Sequence, residues 1–335
     1  MDTGTAAAEW AERARVAARI AEQTDDWDEY GGLLWRAAED GPGALALGLE
    51  SIGSPDPAER ELGCRLLGNA ADRHDEVKPA AVAALVALAE RETDAEVLAA
   101  LARAVGQTYD PRAVPVLVTL ARHPDEEVRR QVATAFSSVA TGEPDGPDVR
   151  ALIALTRDED PDVRDWATFT LGFQYEVDTA EIRAALWERT GDGHADTREE
   201  GIRGLARRHD LRAVPLLAEL LDDPEGAHVH TFRAAEILGS PELLPYLRNH
   251  DADGGAVEDA VRACDPVERG RLELAGWELL CALDRLRPEL RAGLYRPRFE
   301  AGLALGAGEG WYDVAALLRR AGGDPGRAAE LAATD

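Results

Sequence analysis

Apolar residues along the middle of the chain follow a helical spacing, and one short pattern returns again and again. Four segments can be laid over one another: Asp56-Pro57-Ala58-Glu59-Arg60 to Gly68, Asp94-Ala95-Glu96-Val97 to Gly106, Asp125-Glu126-Glu127-Val128-Arg129 to Ser137, and Asp160-Pro161-Asp162-Val163-Arg164 to Gly172. In each, the fourth residue stands nine positions before the Gly or Ser. Two further segments, around Thr197 and His230, continue the series, so that anchors fall at 59, 97, 128, 163, 197 and 230. Their separations of 38, 31, 35, 34 and 33 residues fit a unit of two short helices and two turns.

Between these segments lie the partner helices, written Asp110-Pro111-Arg112-Ala113-Val114-Pro115-Val116-Leu117 and again Asp210-Leu211-Arg212-Ala213-Val214-Pro215-Leu216-Leu217. Stretches beginning at Val77, Val149, Glu181 and Leu243 hold the same place in other units. An Asp ahead of a helix caps free backbone N–H groups, and a proline in the first turn removes a donor that has no helical acceptor. These prolines therefore start helices.

The D-x-R-A-V-P-x-L and D-P-D-V-R-x-x-A…L-G signatures resemble the HEAT-like repeats first recognised in phycobilisome lyases, and they cover roughly residues 54 to 250. The resemblance implies an all-α fold, an α-solenoid of about six HEAT-like helical repeats with helical caps. It implies no single function, because that family places lyases, hydroxylases, DNA glycosylases and scaffolds on one architecture. Residues 1–53, with Trp10, Leu33, Leu34 and Trp35 in helical periodicity but without the signature, read as an amino-terminal cap. The signature is lost in the Gly/Asp-rich turn at 250–255, and 251–335 reads as a carboxy-terminal helical segment, a degenerate cap or an appended module.

Composition narrows the functions. With 64 acidic against 37 basic residues and a net charge of -27, most of the surface repels a phosphate backbone, so no nucleic-acid partner is expected. Aromatic residues make up only 5% of the chain, which favours helix over strand. Cys64, Cys264 and Cys281 form no C-x-x-C pair or metal-ligand spacing. No apolar run reaches the length of a membrane span and no basic-then-apolar leader is visible, so the expected location is the cytoplasm, without a membrane partner.

Catalytic motifs are sparse. HEAT-repeat hydroxylases hold a di-iron centre with His-Glu dipeptides, and here none of the seven histidines is followed by Glu. His228 and His230 come nearest to a metal site, but residues two apart on a helix point in different directions. No Gly-rich phosphate loop, G-x-S-x-G or H-E-x-x-H pattern occurs. We expect no cofactor and no metal.

The repeat phase supplies a better candidate. If the anchor and the fourth and eighth residues after it face the core, the third and sixth lie together on the open, usually concave side. Those columns carry Arg103, Gln131, Trp166, Phe169, Arg203 and Arg233, an aromatic pair flanked by arginines, which is the composition of a binding hot spot. The arginines one residue after the anchors, at 60, 129, 164 and 198, sit beside turn aspartates and are expected to form structural salt bridges between units. A secondary basic and aromatic cluster comprises Arg291, Tyr295, Arg296 and Arg298, expected on a helix face. The expected function is a non-enzymatic scaffold for a protein or peptide partner. An acidic inhibitor or immunity-type protein that blocks a basic enzyme, and a bilin-lyase-like handler of small molecules, are the alternatives.

Overall fold

The computed structural model describes residues 3–24, 28–223, 227–250 and 255–334, which form two compact units, 1–185 with 194–197 and 186–193 with 198–335. The first unit runs α1 (Thr3–Thr24), α2 (Asp28–Ala37), α3 (Gly41–Ser51), α4 (Pro57–Arg73), α5 (Lys78–Ala89), α6 (Ala95–Gln107), α7 (Val114–Leu120), α8 (Glu126–Ala135), α9 (Pro147–Leu155) and α10 (Pro161–Phe169). Two helices, α11 (Ala180–Arg189) and α12 (Ala195–Arg207), carry residues of both units. The second continues with α13 (Ala213–Asp222), α14 (Val229–Leu238), α15 (Leu244–Leu247), α16 (Gly255–Cys264) and α17 (Pro266–Leu286). It ends with β1 (Gly293–Tyr295), β2 (Ala304–Ala307), β3 (Gly310–Asp313), α18 (Val314–Arg320) and α19 (Pro325–Thr334). The fold is the α-solenoid that the repeats imply.

In the first unit, α4, α6, α8 and α10, the helices whose open face the repeat phase expects on the concave side and which are therefore named the inner layer, form one layer and their partners α3, α5, α7 and α9 the other. Each inner-layer helix starts on its aspartate. Asp56 accepts from the N–H of Ala58, Asp94 from Glu96 and Val97, Asp125 from Val128, and Asp160 from Asp162 and Val163. The anchor phase holds through the middle of the array: Val97, Leu101 and Val105, Val128, Val132 and Phe136, and Val163, Ala167 and Leu171 are all 0% exposed. The glycine that ends the signature has a steric role. A Cβ on Gly68 would stand 2.8 Å from the Ala104 Cα and one on Gly106 3.0 Å from the Ala135 Cα, so these glycines let successive inner helices touch.

The arginine after the anchor locks the repeats. Arg129 donates at 2.8 Å to both carboxylate oxygens of Asp158, which belongs to the turn of the next repeat, and to the carbonyls of His123 and Pro124 at 2.9 and 2.8 Å. Arg60 repeats the arrangement with Glu92 and with the carbonyls of Ser54 and Pro55. Arg164 and Arg198 reach back to the equivalent turn carbonyls, of Asp158, Glu159 and Asp192. Such a guanidinium uses its planar fork on a carboxylate and its remaining donors on carbonyls that helix ends leave open.

The carboxy-terminal segment is not wholly helical. After α17 the chain forms an antiparallel meander ordered β1-β2-β3, with Leu294 opposite Leu305 and Leu305 opposite Tyr312. Leu303, Leu305 and Ala307 alternate inward, onto Leu279 and Leu283 of α17, Val314 and Leu317 of α18, and Ala328 and Ala329 of α19. Gly308, at φ 59°, opens the two-residue turn between β2 and β3. The expected helix gives way to strand here because Leu303-Ala304-Leu305-Gly306-Ala307 has a period of two, muted by its small residues. Of the expected Gly/Asp turn at 250–255, residues 251–254 lie outside the described set.

Candidate functional site

On the inner-layer helices of the first unit, the structure places Arg103 on α6, Gln131 on α8 and both Trp166 and Phe169 on α10. Trp166 is 37% exposed and meets Phe169 edge-on with ring centroids 5.9 Å apart. Sequence reasoning missed the third member of this row, Phe173, whose ring stacks on Phe169 at 5.8 Å. Phe173 belongs to a turn of π-helix over Thr170–Gln174 that continues α10, a local widening often found at functional sites. Its spacing of seven residues from Trp166 was the available signal. Tyr175 closes the turn: it is 1% exposed and donates at 3.1 Å to Asp148, itself fully buried and bonded to the N–H and hydroxyl of Thr141. The aromatic row is thus held from below by a satisfied polar knot.

Arg103 shares with Arg122, Arg285 and Arg291 a guanidinium without a side-chain partner among the described residues, and its own pKa is lowered. It is exposed, and among the described residues it makes no hydrogen bond or ion pair. Partial desolvation and the neighbouring Arg65 and Arg130 hold its pKa below the usual guanidinium value, against the opposing pull of Glu61. Those neighbours are each paired on their own helix, Arg65 with Glu61 and Arg130 with Glu127 at 2.6 and 2.7 Å. Gln131 donates to the same Glu127 at 2.9 Å. Helices α6, α8 and α10 are consecutive in the layer, so Arg103 and Trp166 are separated by two helix spacings, on the order of 20 Å.

Arg203 departs from expectation. It is only 9% exposed and is paired with Glu200, so it does not belong to an open face. One turn further along α12, Phe299 folds onto the helix: Arg207, 92 positions before it, donates to the Phe299 carbonyl at 3.2 Å, and the guanidinium groups of Arg207 and Arg208 lie 5.1 and 5.7 Å from the ring. Arg233 is exposed and bonded to Glu236 at 3.3 Å, but its repeat is shifted by one residue, since Thr231 is fully buried while His230 is exposed.

The secondary cluster is also rearranged. Tyr295 lies on β1, not on a helix, and packs at 5.0 Å against Trp311 of β3, both rings lying over Gly306. Arg291 occupies a left-handed turn at φ 48° before the strand. Arg296 pairs with Glu273 of α17, and the Arg298 guanidinium lies 5.5 Å from the Phe299 ring. Arg233, Arg296 and Arg298 are brought to one cleft of about 1200 Å³ in the second unit, with an apolar floor that includes Leu272 and Leu303. Glu236 lines the same cleft, and burial raises its carboxyl pKa against the opposing pull of Arg233.

Among the described residues no group of three or more His, Cys, Asp or Glu side chains could hold a metal ion, and no helix is long and apolar enough to cross a membrane. His228 and His230 do approach, at 5.7 Å between rings, because His228 precedes α14 in an extended conformation; its Nε2 lies 2.9 Å from Glu199.

Comparison with known proteins agrees with this architecture. Protein YibA of Escherichia coli K12 is 32% identical over 139 residues, 42% of this chain and 48% of that protein, so the chain spans about half the length of this curated relative. The crystal structure of Escherichia coli YibA superposes with a TM-score of 0.57 at 25% identity, covering 70% of this chain and 85% of that one. An engineered protein gives a TM-score of 0.50 at 20% identity over 70% of this chain and 73% of its own, a likeness of fold alone. The family model for HEAT repeats matches residues 45–137 and 149–238, more than half of the sequence. The chain belongs to the HEAT-repeat family.

Proposed function

We propose that this protein is a non-enzymatic scaffold that binds an extended segment of a protein or peptide across the inner-layer helices of its first unit. The observation that carries this reading is Arg103, a partly desolvated guanidinium that is near Glu61 but makes no hydrogen bond or ion pair among the described residues, in a chain that has 64 carboxylate side chains to offer. A carboxylate from the bound segment would complete it with a charge-assisted, bidentate contact. Two helices further on, Trp166, Phe169 and Phe173 offer an apolar seat for a large side chain. The separation of about 20 Å corresponds to roughly six residues of extended chain.

The test is selection from a random peptide library on the full chain, followed by calorimetry. The expected binders carry an acidic residue and an aromatic or large aliphatic residue about six positions apart, and each of Arg103→Ala and Trp166→Ala weakens them. Binders without either feature, or binders indifferent to both substitutions, would contradict the reading.

A further inference from the structure

Helix α17 has two opposite apolar faces, and only one has a partner among the described residues of the chain. Gly276, Leu279 and Leu283 are buried, the two leucines against the sheet, α18 and α19. On the other side Val267, Leu274 and Trp277 are 61%, 62% and 59% exposed, and Gly270 and Cys281 are exposed with them. At 100° per residue, Val267, Gly270, Leu274, Trp277 and Cys281 fall within an arc of about 80°. Their alternating spacing of three and four residues is that of a coiled-coil seam, here without a second helix.

We propose that this seam pairs with α17 of a second copy of the chain, antiparallel, about a two-fold axis between Leu274 and Trp277. Charge decides both the partner and the direction. Arg271 and Glu278 flank the seam on one side, and both are exposed. An antiparallel two-fold sets Arg271 of each copy beside Glu278 of the other, twice, as an isologous interface requires. A parallel pair would instead set Glu273 against Glu278 of the second copy. The bulk of the seam agrees: Trp277 meets Leu274 in the two central layers, and Gly270 leaves room for Cys281 at both ends. Arg271 bonds to Glu268 on its own helix, but its side chain remains 71% exposed and within reach of a second acid. The seam is shorter than the roughly 20–30 residues a side of a standard interface, so the dimer forms and dissociates at micromolar concentrations.

Sedimentation equilibrium of the full chain across the micromolar range tests this. The wild type should pass from monomer to dimer, and Trp277→Arg should raise the dissociation constant about a hundredfold or more while leaving the helical circular-dichroism signal unchanged. Arg271→Glu and Glu278→Arg should each weaken association, and the double variant should restore it. Register is read by Gly270→Cys, at a position where an added Cβ has nothing within 4 Å. Residues 270 and 281 on one helix are about 16 Å apart, too far for a disulfide within the chain. Mild oxidation should therefore link Gly270→Cys chains into covalent dimers through Cys281, and should leave the wild type unlinked, because its two Cys281 residues lie at opposite ends of the seam. A wild type that stays monomeric, a dimer indifferent to Trp277→Arg, a double charge variant without recovery, or linked wild type would each overturn the proposal.

Discussion

The inner-layer helices of the first unit and the carboxy-terminal part of the second share a composition rich in Ala, Leu, Arg and Glu, yet they are organised by different rules. In the first unit α4, α6, α8 and α10 repeat a local grammar: an aspartate caps each of them, Arg60 and Arg129 tie their repeats to the carboxylate of the following turn, and Gly68 and Gly106 admit the neighbouring helix. In the second, contacts come from afar. Phe299 folds onto α12, Leu305 meets α17, and Arg296 meets Glu273. The difference shows that stability can be distributed one repeat at a time or gathered into a single long-range core, and substitutions should separate the two.

The largest effect is expected in the long-range core. Leu305 is fully buried within its cluster, so Leu305→Ala should cost about 3 kcal/mol of stability, with loss of hydrogen-exchange protection concentrated in residues 266–334. Protection lost evenly along the chain would break the contrast. In the repeat array, Arg129→Ala removes a bidentate pair whose side chains are only 9% and 10% exposed, and should cost about 2–3 kcal/mol, felt mainly by the two repeats it joins. Arg129→Lys should recover less than half of this, because an ammonium cannot serve both the carboxylate and the turn carbonyls. Gly68→Ala should cost about 1–2 kcal/mol by forcing α4 and α6 apart, as thermal melts would show.

The mildest lever is pH. Arg60, helped by the N–H groups of Thr93 and Asp94, holds the Glu92 carboxyl down to about 2. A depressed carboxylate contributes stability above its usual titration range and loses it as pH falls through the folded-state value, so the Arg60–Glu92 contribution should fade between about pH 4.5 and 2. Glu92→Gln should flatten the acid-stability curve in that window and leave its shape above pH 6 unaltered. Equal slopes in the two proteins would contradict the role given to the turn.

This contrast also explains what could be read from the sequence. Caps, anchors and inter-repeat arginines are local and repeated, so each copy corroborates the next; Asp94, Val97 and Arg129 sit where periodicity puts them. His230 was off by one, since the buried position of that helix is Thr231. The sheet was illegible because its strands are three and four residues long and rich in Gly and Ala, too weak a signal against helical surroundings. The packing of Phe299 onto Arg207 and Arg208 of α12 was beyond any periodic reading, since Phe299 comes from a different part of the chain. For the candidate site, Trp166 and Phe169 followed from phase, whereas the lack of a partner for Arg103 is visible only in three dimensions.

The central claim is that the inner layer of the first unit is a binding surface, and Trp166→Ala tests it most directly when stability and affinity are measured on the same sample. The account predicts a melt within about 1 kcal/mol of wild type, because the ring is partly exposed, and a loss of about 2 kcal/mol, roughly thirtyfold, in calorimetric affinity for a selected peptide. A destabilisation of about 3 kcal/mol or more with affinity intact in the folded fraction would contradict it, making Trp166 a packing residue between repeats.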